Sequence, residues 1–231
     1  MQQNHKESSP MPQLALIFDL DGTLLDSTHV WHEIDQVFLG KRGLAVPPDY
    51  VPAIASMNLA QAAAYTKSRF SFPESEEAII AEWHRMVHHA YECDIPMKPG
   101  ADAVLHRFAE QGIPIALATA SDPAYYVPAL KRCGVYDCFS CFVHSRPELP
   151  KGNAAFYLHC AEKLGIRPEK CVVFEDVLPG ILAAKDAGMC AIAVADSGNA
   201  DDRETLLRHA DFFLPHWAAL RMHPRFAPYL E

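Results

Sequence analysis

Short runs of apolar residues alternate with amphipathic stretches along most of the chain. The apolar runs are nearly continuous, a pattern that is typical of strands covered on both faces of a sheet. Six runs are predicted to be strands: Leu14–Leu20, Ile113–Thr119, Phe139–Ser145, Lys170–Glu175, Ala191–Ala195 and Asp211–Leu214. The pattern therefore indicates a buried sheet rather than one with a solvated face.

The amphipathic stretches between most of these strands have the periodicity of helices. Five helices are predicted there: Gly100–Gln111, Pro123–Cys133, Asn153–Leu164, Leu178–Ala187 and Asp201–Arg208. Glycines stand where four of them should end, which is the usual left-handed cap position. Alternating strands and helices predict an α/β fold with a doubly wound, Rossmann-like parallel sheet.

One region interrupts this alternation. About ninety residues without a convincing strand separate the first strand from Ile113, and a connection that long needs structure of its own. Helical patterns occur there at His29–Lys41, Leu59–Arg69 and Ser75–Glu92. We expect residues 27–97 to form a helical cap inserted into an α/β core of residues 13–26 and 98–231, after a disordered lead-in over residues 1–12.

Composition narrows the function classes. The chain has 231 residues and a formal net charge of -9, which disfavours binding to nucleic acid. No apolar stretch reaches the roughly 18 residues that a membrane span needs, so no membrane partner is expected. The N-terminus has no secretory pattern, and the seven cysteines are therefore expected to be reduced thiols of a cytoplasmic protein. We expect a monomer or a small homo-oligomer.

The first predicted strand runs directly into two acids, Asp19 and Asp21, which Gly22 and Thr23 follow. Ligand sites of open α/β sheets lie beyond the carboxyl ends of the strands, so both carboxylates are expected at such a site. Two carboxylates this close stay ionised only if they share a cation or a proton. A polar turn is the simpler explanation for Asp-Gly, but a buried strand leading into the first acid favours function.

A second acidic pair, Glu175 and Asp176, ends another predicted strand. Alone, these acids could cap the following helix near its positive N-terminus. With Asp19 and Asp21 they make up to four acids at one sheet edge. Oxygen ligands at this density suit a hard cation, and Mg²⁺ fits best.

Two further strand ends offer groups for an anion. Thr119, Ala120 and Ser121 end the second strand just before a helix, where backbone and hydroxyl donors form a natural anion site. Simple helix capping is the alternative for these hydroxyls. Lys151 is predicted at the start of a helix, against the helix dipole, which favours an anionic partner over a solvated lysine.

These groups together suit phosphoryl transfer through a covalent aspartyl phosphate. In such a reaction Mg²⁺ and the lysine neutralise the charge of the phosphoryl group, and the positioning of the reacting groups accounts for most of the catalysis. The acidic chain disfavours polyanionic substrates. We therefore expect a phosphatase acting on a small phosphorylated metabolite, such as a sugar phosphate.

The motifs Asp19-Leu20-Asp21-Gly22-Thr23, Thr119, Lys151 and Glu175-Asp176 occur here in the order that is typical of the haloacid dehalogenase-like hydrolase superfamily. Over about residues 13–215 the chain resembles the C1-capped, β-phosphoglucomutase-like branch of its phosphatases. The resemblance implies an α/β core with a helical cap that closes over the substrate and excludes water.

The resemblance also implies roles for single residues. Asp19 would be the nucleophile, and Asp21 the acid and base that protonates the leaving group and then activates water. Mg²⁺ would be held by Asp19, the backbone carbonyl of Asp21 and Asp176, with Glu175 ligating or supporting. The phosphoryl oxygens would be bound by Thr119 and Lys151, with nearby contacts from Gly22, Thr23, Ala120 and Ser121.

Several positions separate the activities within this family. An acid at Asp21 argues against dehalogenation, and Thr23 is typical of phosphatases. Trp31 stands where β-phosphoglucomutases carry a cap histidine, which weakens the mutase alternative, and we expect Trp31 to contact substrate. A phosphonatase would need a cap lysine, for which Lys41 and Lys67 are available. A non-catalytic ligand-binding relative is the remaining alternative.

Two weaker constellations have simpler explanations. Cys138 and Cys141 have CxxC spacing, but they lie at the start of a predicted buried strand and no second pair exists. They are expected to be core residues rather than zinc ligands. His84 and His88 are four residues apart on a predicted helix, where a solvated face is the simpler interpretation than a metal site.

Overall fold

The computed structural model describes residues 14–54 and 57–230. The lead-in predicted over residues 1–12 lies outside them. At its centre is a sheet of six parallel strands: β1 (Ala15–Phe18), β2 (Ile115–Thr119), β3 (Cys141–His144), β4 (Cys171–Glu175), β5 (Cys190–Val194) and β6 (Phe212–Leu214). Their spatial order is β3-β2-β1-β4-β5-β6, so the chain winds both ways from β1. All six predicted strands and the doubly wound topology are confirmed.

The sheet is buried on both faces because the central strands alternate their side chains between two apolar layers. In β1, Leu16 and Phe18 belong to one layer, whereas Ala15 and Ile17 belong to the other. This two-sided burial explains why the strands read as continuous apolar runs in the sequence.

Between β1 and residue 97 the described part of the chain contains four α-helices: α1 (Val30–Gly40), α2 (Tyr50–Ile54), α3 (Leu59–Phe70) and α4 (Glu76–His89), which continues into a π-helical turn, Ala90–Asp94. The short α2 has no counterpart among the predicted helices. The helices share an aromatic core, in which the Phe38 ring lies 5.4 Å from that of Trp83 and 5.9 Å from that of Phe72. The division into core and cap at residues 27 and 97 stays a prediction.

The chain leaves the sheet and returns to it along two adjacent segments. The backbone N–H of Asp26 donates to the carbonyl of Pro96 (3.0 Å), and that of Lys98 donates to the carbonyl of Leu24 (2.8 Å). The outgoing segment around residues 24–26 and the returning segment around residues 96–98 are therefore hydrogen-bonded to each other after the carboxyl end of β1.

Helices flank the sheet in the rest of the chain: α5 (Ala101–Glu110), α6 (Pro123–Arg132), α7 (Ala154–Leu164), α8 (Leu178–Asp186), α9 (Arg203–His209) and α10 (Ala227–Leu230). The five predicted helices are confirmed with small shifts of their ends. The last of the five begins at Arg203, because Ser197–Asp202 forms a 3-10 helix instead.

The C-terminal segment has structure that no pattern in the sequence predicted. A 3-10 helix, Trp217–Met222, places the Trp217 ring 5.4 Å from Phe174, and its indole N–H donates to the carbonyl of Thr23 (3.2 Å). This segment therefore packs against the apolar layer that contains Phe174, next to Thr23 of the Asp19–Thr23 motif. Across the described residues, none of the helices has the length and apolar character that crossing a membrane requires.

Candidate active site

Three buried acids meet where two central strands end. Asp19 directly follows β1, Glu175 is the last residue of β4, and Asp176 comes next; Phe18 pairs with Phe174, so the two strand ends lie side by side. One carboxylate oxygen of each acid lies within 4.8 Å of the others, and all three side chains are buried. We call these three residues the acid cluster.

Burial makes the charges of this cluster costly. It raises the pKa of Asp19 to about 7, with Lys151 opposing the shift and Glu175 reinforcing it. It raises the pKa of Asp176 to about 9, and the neighbouring Asp19 and Glu175 add to the shift. Carboxylates in this condition hold protons unless a cation replaces them. The donor set, all oxygen and all acidic, fits Mg²⁺.

Glu175 already has protein partners on both oxygens. Its Oε1 lies 2.7 Å from Lys151 Nζ and accepts from the Tyr157 hydroxyl (3.1 Å). Its Oε2 accepts from the backbone N–H groups of Asp176 (2.9 Å) and Val177 (3.1 Å). These contacts favour the supporting role of Glu175 over direct ligation of a metal.

Lys151 reaches into the cluster from the loop after β3. Its ammonium group contacts both Asp19 Oδ1 and Glu175 Oε1, and its backbone N–H donates to Ser145 Oγ (3.1 Å). Burial opposes its charge, but the two carboxylates outweigh burial and hold the Lys151 pKa above its usual range. The prediction that Lys151 begins the helix was wrong, since Asn153 caps α7 and the helix starts at Ala154.

The Asp21 carboxylate is surrounded by hydroxyl donors. Its Oδ1 accepts from Ser27 (2.7 Å) and Tyr91 (2.5 Å), and its Oδ2 accepts from Ser121 (2.6 Å). Tyr91 belongs to the π-helical turn after α4. A residue of the segment predicted as the cap therefore contacts Asp21. The Asp21 side chain is not a member of the acid cluster.

Gly22 and Thr23 both contact the Asp176 side chain or leave room for it. Gly22 has a φ of +78°, and a Cβ built on it would stand 2.3 Å from Asp176 Oδ2. Thr23 is fully buried, and its hydroxyl donates to Asp176 Oδ1 (3.3 Å). These contacts support roles in positioning Asp176, whereas direct substrate binding by either residue stays a prediction.

The end of β2 brings its hydroxyls to the same sheet edge. Thr119 is buried, and its Oγ1 accepts from the backbone N–H of Ser121 (2.9 Å). Ala120 is exposed between them. This turn joins the site through the Ser121 hydroxyl, which reaches Asp21.

Trp31 stands apart from the acids, on α1. Its side chain is 52% exposed and lines a cavity of about 530 Å³ between the helices of residues 30–89 and Tyr125 of α6. Contact with substrate there stays a prediction.

The weaker constellations do not form metal sites. Among the described residues, the acid cluster is the one group of three or more acidic, histidine or cysteine side chains with metal-ligand spacing. Cys138 instead contacts His106 (3.4 Å), and His84 Nδ1 lies 2.6 Å from the Tyr125 hydroxyl.

Sequence reasoning missed several contributors to the site. Tyr157 and Ser145 hold Glu175 and Lys151, and Tyr91 holds Asp21. Tyr91 and Tyr157 are apolar-face residues of helical patterns, so nothing in the pattern sets them apart from core aromatics. Ser145 ends a predicted strand at the sheet edge where the ligand site was expected, and that position was the available signal.

Comparison with known proteins agrees with this geometry. A family model described as haloacid dehalogenase-like hydrolase matches residues 14–188. The chain therefore belongs to the haloacid dehalogenase-like hydrolases and is an enzyme of that class, which confirms the resemblance inferred from the motifs.

Individual relatives are similar over most of their length. Hexitol phosphatase B of Escherichia coli (strain K12) is 29% identical over 192 residues, which cover 81% of this chain and 86% of the relative. Hexitol phosphatase A of the same strain is 33% identical over 182 residues, covering 78% and 82%. A solved Thermotoga maritima structure, provisionally described as a β-phosphoglucomutase, superimposes with a TM-score of 0.80 at 25% identity and covers 90% of this chain and 97% of its own.

Proposed function

We propose that the chain is an Mg²⁺-dependent phosphatase that hydrolyses a small phosphorylated metabolite through an aspartyl phosphate on Asp19. The observation that carries the proposal is the contact of the Asp19 carboxylate with Lys151 inside a buried cluster of acids. A nucleophilic carboxylate, a fixed positive charge and a metal-type donor set are the parts that phosphoryl transfer needs.

The reaction has two displacements at phosphorus. An Asp19 oxygen attacks the phosphoryl group, the ester oxygen leaves, and Asp21 gives that oxygen its proton. Asp21 then takes a proton from water, the water oxygen attacks the aspartyl phosphate, and inorganic phosphate leaves with Asp19 regenerated. The hydroxyls of Ser27, Tyr91 and Ser121 around Asp21 support this proton-transfer role by orienting its carboxylate.

Mg²⁺ would be held by Asp19, Asp176 and the backbone carbonyl of Asp21. When bound, it neutralises charge on the phosphoryl oxygens as they transfer. Glu175 would act through Lys151, whose ammonium group lies 2.7 Å from the fully buried Glu175 carboxylate.

Lys151, Thr119 and the Ala120–Ser121 turn would bind the phosphoryl oxygens. The Lys151 side chain is 14% exposed, so its charge is little screened by water. Helices α1–α4 would form the cap over this site, with its boundaries at residues 27 and 97. We further propose that the enzyme works in the cytoplasm on metabolites such as the hexitol phosphates after which its relatives are named.

Substitution of the nucleophile tests the mechanism. With Mg²⁺ the purified chain should release phosphate from p-nitrophenyl phosphate or from a panel of metabolite monophosphates, and Asp19→Asn should abolish release. Asp186→Asn, on the exposed end of α8, is the matched control and should retain full activity. Phosphate release by Asp19→Asn at the rate of this control would overturn the covalent mechanism.

A sugar-phosphate mutase is the second candidate, because the Thermotoga maritima structure carries that description. Mutase activity would move labelled phosphate between two positions of one sugar without releasing it. Phosphatase activity would release the label as inorganic phosphate, so one labelling experiment separates the two.

A further inference from the structure

A buried ion pair that the proposed reaction does not use lies just after β5. Lys98 Nζ is 2.7 Å from Asp196 Oδ2, and the two side chains are 12% and 1% exposed. Asp196 comes two residues after the end of β5, at the same sheet edge as Asp19, but it is not a member of the acid cluster. A pair this buried is a weak source of stability, because both charges give up their hydration, and the best-attested use of such pairs is to fix one arrangement of the chain.

The pair is held on the β5 side by the backbone. Lys98 Nζ also donates to the carbonyl of Ala195 (2.8 Å), and Asp196 Oδ1 accepts from the backbone N–H of Gly198 (2.7 Å). Burial opposes the charge of Asp196, but the Lys98 ammonium and the Gly198 N–H hold the pKa of that carboxyl below its usual range. The Asp196 carboxylate is therefore ionised at neutral pH and fixes the Lys98 side chain against the end of β5.

The backbone of Lys98 belongs to the returning segment of residues 96–98. Its N–H donates to the carbonyl of Leu24 (2.8 Å), and Leu25 and Met97 form an antiparallel bridge beside that bond. The side chain of Lys98 thus contacts the end of β5 while its backbone holds Leu24. One residue therefore connects β5 to the outgoing segment.

Leu24 lies in the turn that carries Asp21. This turn closes on itself, since the backbone N–H groups of Leu24 and Leu25 both donate to the carbonyl of Leu20 (2.8 and 2.9 Å). We expect it to move as one piece, and the bond from Lys98 helps to decide where that piece lies. A catalytic acid must lie within hydrogen-bond reach of the oxygen that it protonates, so a small displacement of the turn would slow the reaction.

The loop after β5 contacts the outgoing side of the chain as well. Ser197 Oγ lies 3.4 Å from the Oγ1 of Thr28, and a Cβ built on Gly198 would stand 3.3 Å from Thr28 Cβ. A Cβ built on Gly22 would stand 3.1 Å from Thr28 Cγ2. Thr28 therefore lies between the turn that carries Asp21 and the loop of residues 195–198, so this loop touches both segments that join the core to the predicted cap.

We propose that Lys98 and Asp196 are positioning residues for Asp21, and that their ion pair holds the turn of residues 20–25 where the Asp21 carboxylate reaches the leaving oxygen of the substrate. Both act through the backbone of Leu24 rather than by touching the reacting atoms. This inference rests on the proposed phosphatase function and deepens it. A pair that only stabilised the fold would affect all substrates alike, whereas a positioning pair affects most those that need a proton from Asp21.

Two esters of similar shape separate these roles. The leaving group of 4-nitrophenyl phosphate is stable as an anion, whereas the alcohol of 4-nitrobenzyl phosphate must be protonated as it leaves. Because kcat/KM covers the reaction up to the departure of the leaving group, the ratio of the two kcat/KM values measures proton donation. Asp21→Asn calibrates this ratio and should lower kcat/KM for the benzyl ester at least about tenfold more than for the phenyl ester.

The double substitution Lys98→Met with Asp196→Asn removes the pair without leaving an unpaired charge. It should lower kcat/KM about tenfold for 4-nitrobenzyl phosphate and less than about threefold for 4-nitrophenyl phosphate, because only the first reaction depends on the place of the acid. Equal losses on the two esters would show that the pair only maintains the fold, and no loss on either would show that it does not act on the site. Both results would overturn the proposal.

A second lysine–aspartate pair supplies the matched control. Lys185 Nζ contacts Asp211 Oδ1, and Asp211 Oδ2 accepts from the backbone N–H of Ala191 (2.8 Å), so this pair lies near the opposite end of β5. Its side chains are 38% and 37% exposed. Lys185→Met with Asp211→Asn should leave the ratio of the two esters within about twofold of the wild type. A change as large as that of the Lys98 and Asp196 variant would indicate general loosening, against the proposal.

Asp196→Asn alone keeps the test decisive if the double variant does not fold. It exchanges one oxygen for an NH₂ group and keeps an oxygen for the Gly198 N–H. It should shift the ratio in the same direction by at least about twofold, and an unchanged ratio would overturn the proposal. Failure of the proposed function looks different, since the wild-type chain would then release no phosphate from either ester, or Asp21→Asn would keep the wild-type ratio.

Discussion

Replacing Gly22 with alanine is expected to damage both stability and activity, because the new methyl group collides with a member of the acid cluster. The added Cβ would lie 2.3 Å from Asp176 Oδ2 and 2.8 Å from its Cγ, so the carboxylate must move. Moving it breaks the hydrogen bond from the Thr23 hydroxyl and withdraws an oxygen from the proposed metal site.

Gly188→Ala separates the collision from backbone strain. Gly188 has a φ of +75°, close to the +78° of Gly22, but a Cβ there has no heavy atom within 4 Å. Left-handed strain costs about 1–2 kcal/mol at either position, partly offset by a stiffer unfolded chain. With Mg²⁺ bound and Asp176 therefore ionised, the charged hydrogen bond lost at Gly22 adds about 1.5–3 kcal/mol.

Thermal unfolding and phosphate release together measure the difference. For a chain of this size about 1 kcal/mol corresponds to about 2–4 °C, so a net strain of about 1 kcal/mol should lower the Tm of Gly188→Ala by about 2–4 °C. The total of about 2.5–4 kcal/mol at Gly22 should lower the Tm of Gly22→Ala by about 5–16 °C. Gly22→Ala should also need much more Mg²⁺ for half-maximal activity, whereas Gly188→Ala should match the wild type. Equal Tm and equal Mg²⁺ requirement in the two variants would refute this reasoning.

Three further outcomes are expected. Tyr91→Phe removes one charged hydrogen bond from Asp21 and should lower kcat about tenfold, with KM changed less than about twofold in steady-state assays. Tyr157→Phe removes a buried donor from Glu175 and should cost about 2 kcal/mol, or about 4–8 °C in Tm. Asp19 and Asp176, whose pKa values are raised from 3.8 to about 7 and about 9, bind more protons in the folded chain than in the unfolded one, so without metal their contribution to stability is lost as pH rises from about 4 to 9. Mg²⁺ should therefore raise Tm more at pH 9 than at pH 6, and a larger shift at pH 6 would contradict this.

The fold was predictable because burial on both faces leaves a direct mark on the sequence. Strands such as β1 and β4 have no polar face, so their apolar runs identify them without help from tertiary structure. The segment after β6 was not predictable, since Trp217 is buried from a short 3-10 helix and Phe226 from the turn before α10, and neither has a sustained period.

The site was predictable to the level of strand ends and no further. Parallel topology brings Asp19 and Glu175 to one sheet edge, and that step needs only the strand order. The pairing of each carboxylate oxygen with its hydrogen-bond donor depends on the geometry of the loops, which the spacing of residues in the sequence does not determine. Lys151 illustrates this, because it reaches the cluster from a loop three residues before α7 rather than from the helix itself. Tyr91 reaches Asp21 from a π-helical turn. Such a turn shifts the register of the helix, and the hydrophobic pattern of the sequence did not predict it.

Charge balance supports the proposal that this edge of the sheet holds a metal and a phosphoryl group together. The acid cluster holds three carboxylates, Lys151 supplies one positive charge, and full ionisation would leave two negative charges in a buried space. The raised pKa values of Asp19 and Asp176 express the cost of that imbalance. One divalent cation would cancel this charge and release protons, which would leave Asp19 ionised as its proposed role as the nucleophile requires. In the proposed reaction, that cation and Lys151 would together offset the charge of the phosphoryl group, so the burial of the acids accounts for the need for both positive charges.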